Sequence, residues 1–198
     1  MLKILNTSVH GLSYGDGEIM FVMEKLAVAL LEGRKMARKS ISMETGIGEG
    51  AVRTILGRLD AMGLLDIEHQ GVTLSTTGSE FLKRIGVKLM DLEHTSSAIG
   101  TYQVSVLLRG KAHMIDKGVE QRDSGLKGGG DGCTTIVCRD GRLILPPDWN
   151  IDEKSPDMAS RIRSYGIAEG DIVLIGGSNT GVREAANAAN TAVLELTS

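Results

Sequence analysis

Apolar residues recur at helical spacing twice in the first third of the chain. Ile19, Val22, Met23, Leu26 and Leu30 form the first stripe, and steps of three and four residues put them on one helix face. Asp16 is placed to cap this helix and Gly33 to end it. Val52, Ile55, Leu56 and Leu59 form the second stripe, while Gly50, Arg53, Thr54 and Gly57 fall on the opposite side. A shorter helix at 38–45 precedes it across Gly46-Ile47-Gly48. Two helices joined by a tight glycine turn, the second presenting Arg and Thr outward, predict a helix-turn-helix. Taken alone, the second helix is better read as an ordinary amphipathic helix with a solvated face. The residues after Gly63 change that balance.

From Leu64 onward the period drops to two. Residues 64–68 and 72–74 read as strands around His69-Gln70-Gly71, a hairpin. Thr77 to Glu80 has the spacing of a capping box. Behind it, Leu82, Ile85, Leu89 and Leu92 continue at the steps of a helical seam, for a second copy or for the chain's own domains. Residues 94–100, small and polar, read as a linker. Beyond them, strands are expected at 104–108, 133–137, 143–145, 171–175 and 191–196. Helices are expected at 118–127, 157–165 and 182–190, and Asp140-Gly141 makes a hairpin turn. Two strand–loop–helix–strand units, 104–137 and 172–196, resemble each other, by duplication or by chance. Residues 1–14 carry no clear pattern.

Composition narrows the function. Aromatics are 3% of the chain, which argues against long stacking platforms for single strands. The formal net charge is -3, so no global basicity advertises nucleic acid. Locally, Arg34, Lys35, Arg38, Lys39, Arg53 and Arg58 face only Glu44 and Glu49. Such a patch suits a phosphate footprint; a solvated helix pair explains it equally well. Cys133 and Cys138 lie five apart in a strand-like run, so they should point to opposite faces as buried free thiols. His10, His69, His94 and His113 are scattered without metal-ligand spacing, and neither metal nor cofactor is expected. No signal-peptide pattern and no run of about 18 apolar residues occurs, so a cytoplasmic protein with no membrane partner is expected.

The stretch RKSISMETGIGEGAVRTILGRLDAMGLLDIEHQGVTLSTTGSEFL, residues 38–82, resembles a prokaryotic winged helix-turn-helix domain. The resemblance rests on Arg58-Leu59, Gly63-Leu64-Leu65 and Leu74-Ser75-Thr76-Thr77-Gly78, and spans about residues 16 to 90. It implies double-stranded DNA as a partner. The contacts would come from Arg34, Lys35, Lys39, Gly50, Arg53, Thr54 and Arg58, with His69 and Gln70 at the hairpin tip. Gly50 and Gly57 each cost the helix about 1 kcal/mol against Ala. They either let the backbone lie close to DNA or are a sign of thin base readout; with only Arg53 and Thr54 well aimed, modest base specificity and more backbone contact are expected.

In the second half, Gly176-Gly177-Ser178-Asn179-Thr180-Gly181 lies between a strand and a helix. It is either an anion or small-ligand loop or a helix cap and turn; it is neither a P-loop nor G-x-G-x-x-G. Glu120-Gln121-Arg122-Asp123 is either a solvated helix face or, with Arg109, an ion pair or ligand pocket. VLLRG at 106–110, residues 118–137 and GDIVLIGG at 170–177 resemble an archaeal family with a winged helix before a C-terminal domain of unknown function. That resemblance implies a two-layer α/β sandwich, like the insert domain of bacterial aspartyl-tRNA synthetases. It carries over no ligand and no reaction.

The expected class is therefore α+β. A winged helix-turn-helix domain is expected over 1–93, and a two-layer α/β sandwich with one mixed or antiparallel sheet over 94–198. The expected function is a homodimeric DNA-binding transcriptional regulator whose second domain binds a small-molecule effector or dimerises. The alternative is a winged helix that binds protein. An enzyme is disfavoured, because no nucleophile–base–orienter set is visible.

Overall fold

The computed structural model describes residues 15–198; residues 1–14, His10 among them, lie outside the described residues. The chain is a mixed α+β protein in which helices precede a six-stranded antiparallel sheet. It divides into two units between Ile85 and Gly86, rather than at 93/94.

The first unit opens with α1 (Asp16–Leu31). Its cap is Gly15, not Asp16: the Gly15 N–H donates to Glu18 Oε2 at 2.6 Å, which leaves Asp16 inside the first turn. Ile19, Val22, Met23 and Leu26 are buried, but Leu30 is 41% exposed, so the stripe closes at Ala29. Helix α2 (Arg38–Thr45) ends on Gly46 at φ 70°, a left-handed position that a β-carbon would strain. Ser42 Oγ donates to the Ile47 carbonyl at 2.6 Å, and Thr45 Oγ1 donates to the Ile41 carbonyl at 2.6 Å. Thr45 Oγ1 also accepts from the Ile47 N–H at 3.3 Å, so Ser42 and Thr45 together hold the turn that aims the next helix. Helix α3 (Glu49–Ala61) buries Val52, Ile55, Leu56 and Leu59, as its spacing requires.

Strands β1 (Leu65–Glu68) and β2 (Gly71–Leu74) pair antiparallel, with Leu65 opposite Leu74. A bridge between Met36 and Val72 widens the hairpin by a third short segment. Helix α4 (Thr76–Ile85) is capped by Ser75 rather than Thr77, which sits inside the helix. Ser75 Oγ accepts from the Gly78 N–H at 3.1 Å and donates to the Gly63 carbonyl at 2.7 Å. The expected seam through Leu89 and Leu92 does not form. Gly86 turns to φ +79°, which ends the helix, and the next residues become a strand.

The second unit holds β3 (Val87–Met90), β4 (Tyr102–Leu108), α5 (Val119–Lys127), β5 (Gly132–Arg139), β6 (Arg142–Leu145) and β7 (Trp149–Asn150). Then come α6 (Ile151–Lys154), α7 (Pro156–Ser164), β8 (Ile172–Ser178) and α8 (Val182–Thr197). The strand order is β3-β4-β8-β5-β6-β7, and every neighbouring pair is antiparallel. Asp140 and Gly141, at φ 52° and 71°, make the tight β5–β6 turn that their sequence announced. The 94–100 segment is not a free linker. The Gln103 side-chain amide donates to the Thr95 and Ala98 carbonyls at 2.9 and 3.0 Å, and its oxygen accepts from the Thr95 N–H at 2.9 Å.

Residues 191–196 are the end of α8, not a last strand. Ala185, Ala189, Ala192, Val193 and Leu196 are all buried, and their spacing carries one helical face through to the end. The apparent duplication therefore dissolves, since its second copy lacks the closing strand.

Both faces of the sheet are covered. On one, Ile172, Leu174 and Gly176 alternate toward α8. On the other, Val173 and Ile175 pack with Leu107, Ile136 and Leu143, and with Ile151 and Ile162 of α6 and α7. The second unit thus has three layers, not two. A two-sided core explains why β8 is buried along its whole length. Cys133 and Cys138 are buried and unpaired. Only Cys138 lies in the α6–α7 core, so the two thiols do point to opposite faces. Burial pushes the Cys133 thiol up to about 12, which leaves it protonated and unreactive near neutral pH.

Candidate nucleic-acid interface

Helix α3 turns its apolar stripe inward, and the opposite side is open. Gly50, Arg53, Thr54 and Gly57 are all exposed. Thr54 Oγ1 donates to the Gly50 carbonyl at 3.0 Å, within the helix. Among the described residues, Arg38, Lys39 and Arg53 form no ion pair. His69 and Gln70 are exposed at the hairpin tip.

The basic patch is smaller than the count of its cations. Arg34 pairs with Glu32 at 2.5 Å, and Lys35 pairs with Glu68 of β1. Arg58 is half-buried and acts on Asp16, whose carboxyl is raised above its usual pKa by burial and pulled partly back by Arg58. The uncompensated charge therefore lies on Arg38, Lys39 and Arg53.

The glycines inside α3 are required neither by space nor by a left-handed backbone. A β-carbon at Gly78 would lie 2.2 Å from the Leu64 carbonyl oxygen, so glycine is required there. A β-carbon at Gly50 or Gly57 would meet nothing within 4 Å. Each still costs its helix about 1 kcal/mol relative to Ala. Nothing inside the unit offsets that cost.

The other residues singled out in the sequence are held in structural contacts. Gly176 and Gly177 lie inside β8, opposite Cys133 and Gly132 of β5, not in a loop. β-Carbons there would meet the Ala185 and Ile99 carbonyl oxygens at 2.1 and 2.0 Å. Close backbone packing, not anion binding, is what requires glycine at both. Ser178 is buried, and its Oγ accepts from the Thr180 N–H at 3.0 Å. Asn179 is fully used. Its N–H and Nδ2 donate to Asp131 Oδ2 at 2.6 and 2.7 Å, while its Oδ1 accepts from the Thr101 N–H and hydroxyl. The cap of α8 is Gly181.

Arg109 does not approach Glu120 or Asp123. Its Nη1 donates to Asp171 Oδ2 at 2.5 Å and to the Gly166 carbonyl at 2.7 Å. Arg122 pairs with its own neighbour Asp123 at 3.0 Å, Glu120 is exposed and Gln121 is buried. These residues form no common pocket. The sequence offered no sign of Asp171, because its partners arrive from distant loops. Among the described residues, no group of three or more His, Cys, Asp or Glu side chains could hold a metal ion. No helix there is long and apolar enough to cross a membrane.

Comparison with known proteins divides the chain in the same order. Residues 22–80 match the family described as PH0730-like, N-terminal domain. Residues 99–196 match the family described as domain of unknown function DUF4443. No curated protein matches the chain. Among solved structures, the hypothetical protein PH0730 from Pyrococcus horikoshii OT3 is similar, with a TM-score of 0.66 and 24% identity over 88% of this chain and 91% of that one. The chain thus joins a segment similar to PH0730-like N-terminal domains to a segment similar to DUF4443, in a fold shared with an archaeal protein.

Proposed function

We propose that the first unit is a winged helix-turn-helix that binds double-stranded DNA, and that the chain is a transcriptional regulator. Helix α3 lies along the major groove in this reading, and the β1–β2 hairpin meets the adjacent backbone. The observation that carries the proposal is the outward side of α3, where an unpaired Arg53 stands beside two glycines that the fold itself does not need. A surface without side chains lets a helix backbone come close to a phosphate ribbon. With Arg53 the main residue aimed at base edges, affinity comes mostly from phosphates. A symmetric dimer would set two such helices about 34 Å apart, and the second unit would dimerise or take an effector.

The glycines give the sharpest test. Gly57→Ala should raise the thermal stability of the first unit by about 0.5–1 kcal/mol and still weaken binding to random duplex DNA. Arg53→Ala should weaken it by about 1–3 kcal/mol. Wild-type affinity should fall steeply and linearly in a log–log plot against salt. Filter binding across a salt series reads all three. Unchanged DNA affinity in both variants sinks the reading. Retained capture of a protein partner in Arg53→Ala would then favour an interaction module, to which the exposed Met43 and Ile67 of the same unit are suited.

A further inference from the structure

A cleft of about 280 Å³ opens at the start of α5, lined by Lys117, Gly118, Arg122, Thr135, Ile99 and Leu145 among others. Its size is at the small end of ligand sites. Three features of its lining point the same way. First, α5 begins without a cap. Its N-cap position is Gly118 at φ 73°, and no side chain bonds the helix start. The first backbone bond of the helix runs from the Arg122 N–H to the Gly118 carbonyl. The N–H groups of Val119, Glu120 and Gln121 therefore have no acceptor within the helix.

Second, Thr135 is 3% exposed, and its Oγ1 has no hydrogen-bond partner. The β-carbon position of Gly118 lies 3.7 Å from that oxygen, so the hydroxyl sits directly under the open helix start. A buried hydroxyl without a partner is unfavourable and asks for a reason. Third, the only charged side chains lining the cleft are Lys117 and Arg122. Lys117 forms no ion pair among the described residues. The wall beyond them is apolar. In addition, β6 pairs only with Val137, Cys138 and Arg139 of β5, so the Cys133–Thr135 stretch has a strand on one side and the cleft on the other.

We infer that this cleft binds a small organic anion, a carboxylate or phosphate carried on a short apolar body. The oxyanion takes the free N–H groups of α5 and the Thr135 hydroxyl, with Lys117 as counter-charge. The apolar body lies against Ile99 and Leu145. Glu120 is in the first turn but is exposed and does not line the cleft, so its charge is solvated away from the oxyanion. The inference rests on the second unit being the effector domain only for its biological sense. Binding is measured without DNA, so its failure leaves the DNA result standing.

The experiment is a titration of the ¹⁵N-labelled full chain, followed by amide chemical shifts. The probes are benzoate, phenyl phosphate, inorganic phosphate and benzyl alcohol, each to about 10 mM, enough to detect a millimolar site. Benzoate or phenyl phosphate should move the Val119, Glu120 and Gln121 amides, and benzyl alcohol should not. Whichever of the two binds more tightly identifies the headgroup, and weaker binding of inorganic phosphate supports a role for the apolar wall. Thr135→Val should weaken the better probe by about tenfold or more, Lys117→Ala by about fivefold, and Thr135→Ser should retain it. Because the hydroxyl has no protein partner, Thr135→Val should leave the melting temperature unchanged or raised. The inference fails if no anion moves those amides, or if the Val and Ala variants bind as tightly as wild type. It fails equally if Thr135→Val lowers the melting temperature, since the hydroxyl would then be part of the fold.

Discussion

Alanine at position 176 should unfold the second unit at far lower urea than the wild type needs. The added β-carbon would lie 2.1 Å from the Ala185 carbonyl oxygen and 2.5 Å from the Ala189 nitrogen. Both are backbone atoms of α8, so no side-chain rotation relieves the clash. The helix must lift from β8, and Ala185, Ala188, Ala189, Ala192 and Val193, all fully buried, loosen with it. Ordinary overpacking costs about 1–3 kcal/mol; a backbone clash on a strand buried along its length should cost about 3 kcal/mol or more. Set against a domain stability of about 5–15 kcal/mol, that is a large loss. Trp149, the one tryptophan of the chain, lies in this unit and reports its unfolding by fluorescence. Gly57→Ala is the control, because that position is open and belongs to the other unit. Equal urea midpoints for the two variants would mean that α8 is not seated on β8 in this way.

Removing the Asp171 carboxylate should cost almost as much. It is 4% exposed and gathers donors from separate loops into one place. The Gly110 N–H reaches Oδ1 at 3.0 Å. The Ala168 N–H and Arg109 Nη1 reach Oδ2 at 2.8 and 2.5 Å. Arg109 extends the set to the Gly166 carbonyl. Asp171→Ala leaves two amides and a guanidinium facing a void, and breaking a buried charge pair costs about 3–5 kcal/mol. Arg109 is 44% exposed and regains water, so the lower end of that range is expected. Asp171→Asn keeps one acceptor oxygen and should lose less. Arg109→Ala, which removes the wetter partner, should lose least. Urea midpoints that do not fall in the order Asn, then Ala, at position 171 would refute the assignment of this carboxylate as the hub.

The first unit was largely legible because its signals are local. Apolar steps of three and four mark α1 and α3, Gly46 stops α2, and a hairpin comes within ten residues of α3. Its site was legible only in part. That Arg53 points outward is a consequence of the helix period. That Lys35 is tied to Glu68 is not, since the partner lies 33 residues away. The second unit misled for physical reasons. Thr191-Ala-Val-Leu-Glu-Leu has the β-branched content of a strand, yet the alanine face of α8 runs through it. Gly176 and Gly177 look like a loop, yet they are where two layers approach too closely for any side chain. Leu89 and Leu92 keep a helical step past Gly86, but one left-handed residue is enough to turn the chain into β3. Asp171 and Thr135 matter through what surrounds them, which no short window of sequence contains.

The two outermost strands of the large sheet are short, β3 with four residues and β7 with two. A border of that length offers few free amides and carbonyls to a neighbouring molecule. Lys88 adds an exposed charge to one of them. Strand-by-strand pairing with a second copy therefore has little template to grow on along these two strands.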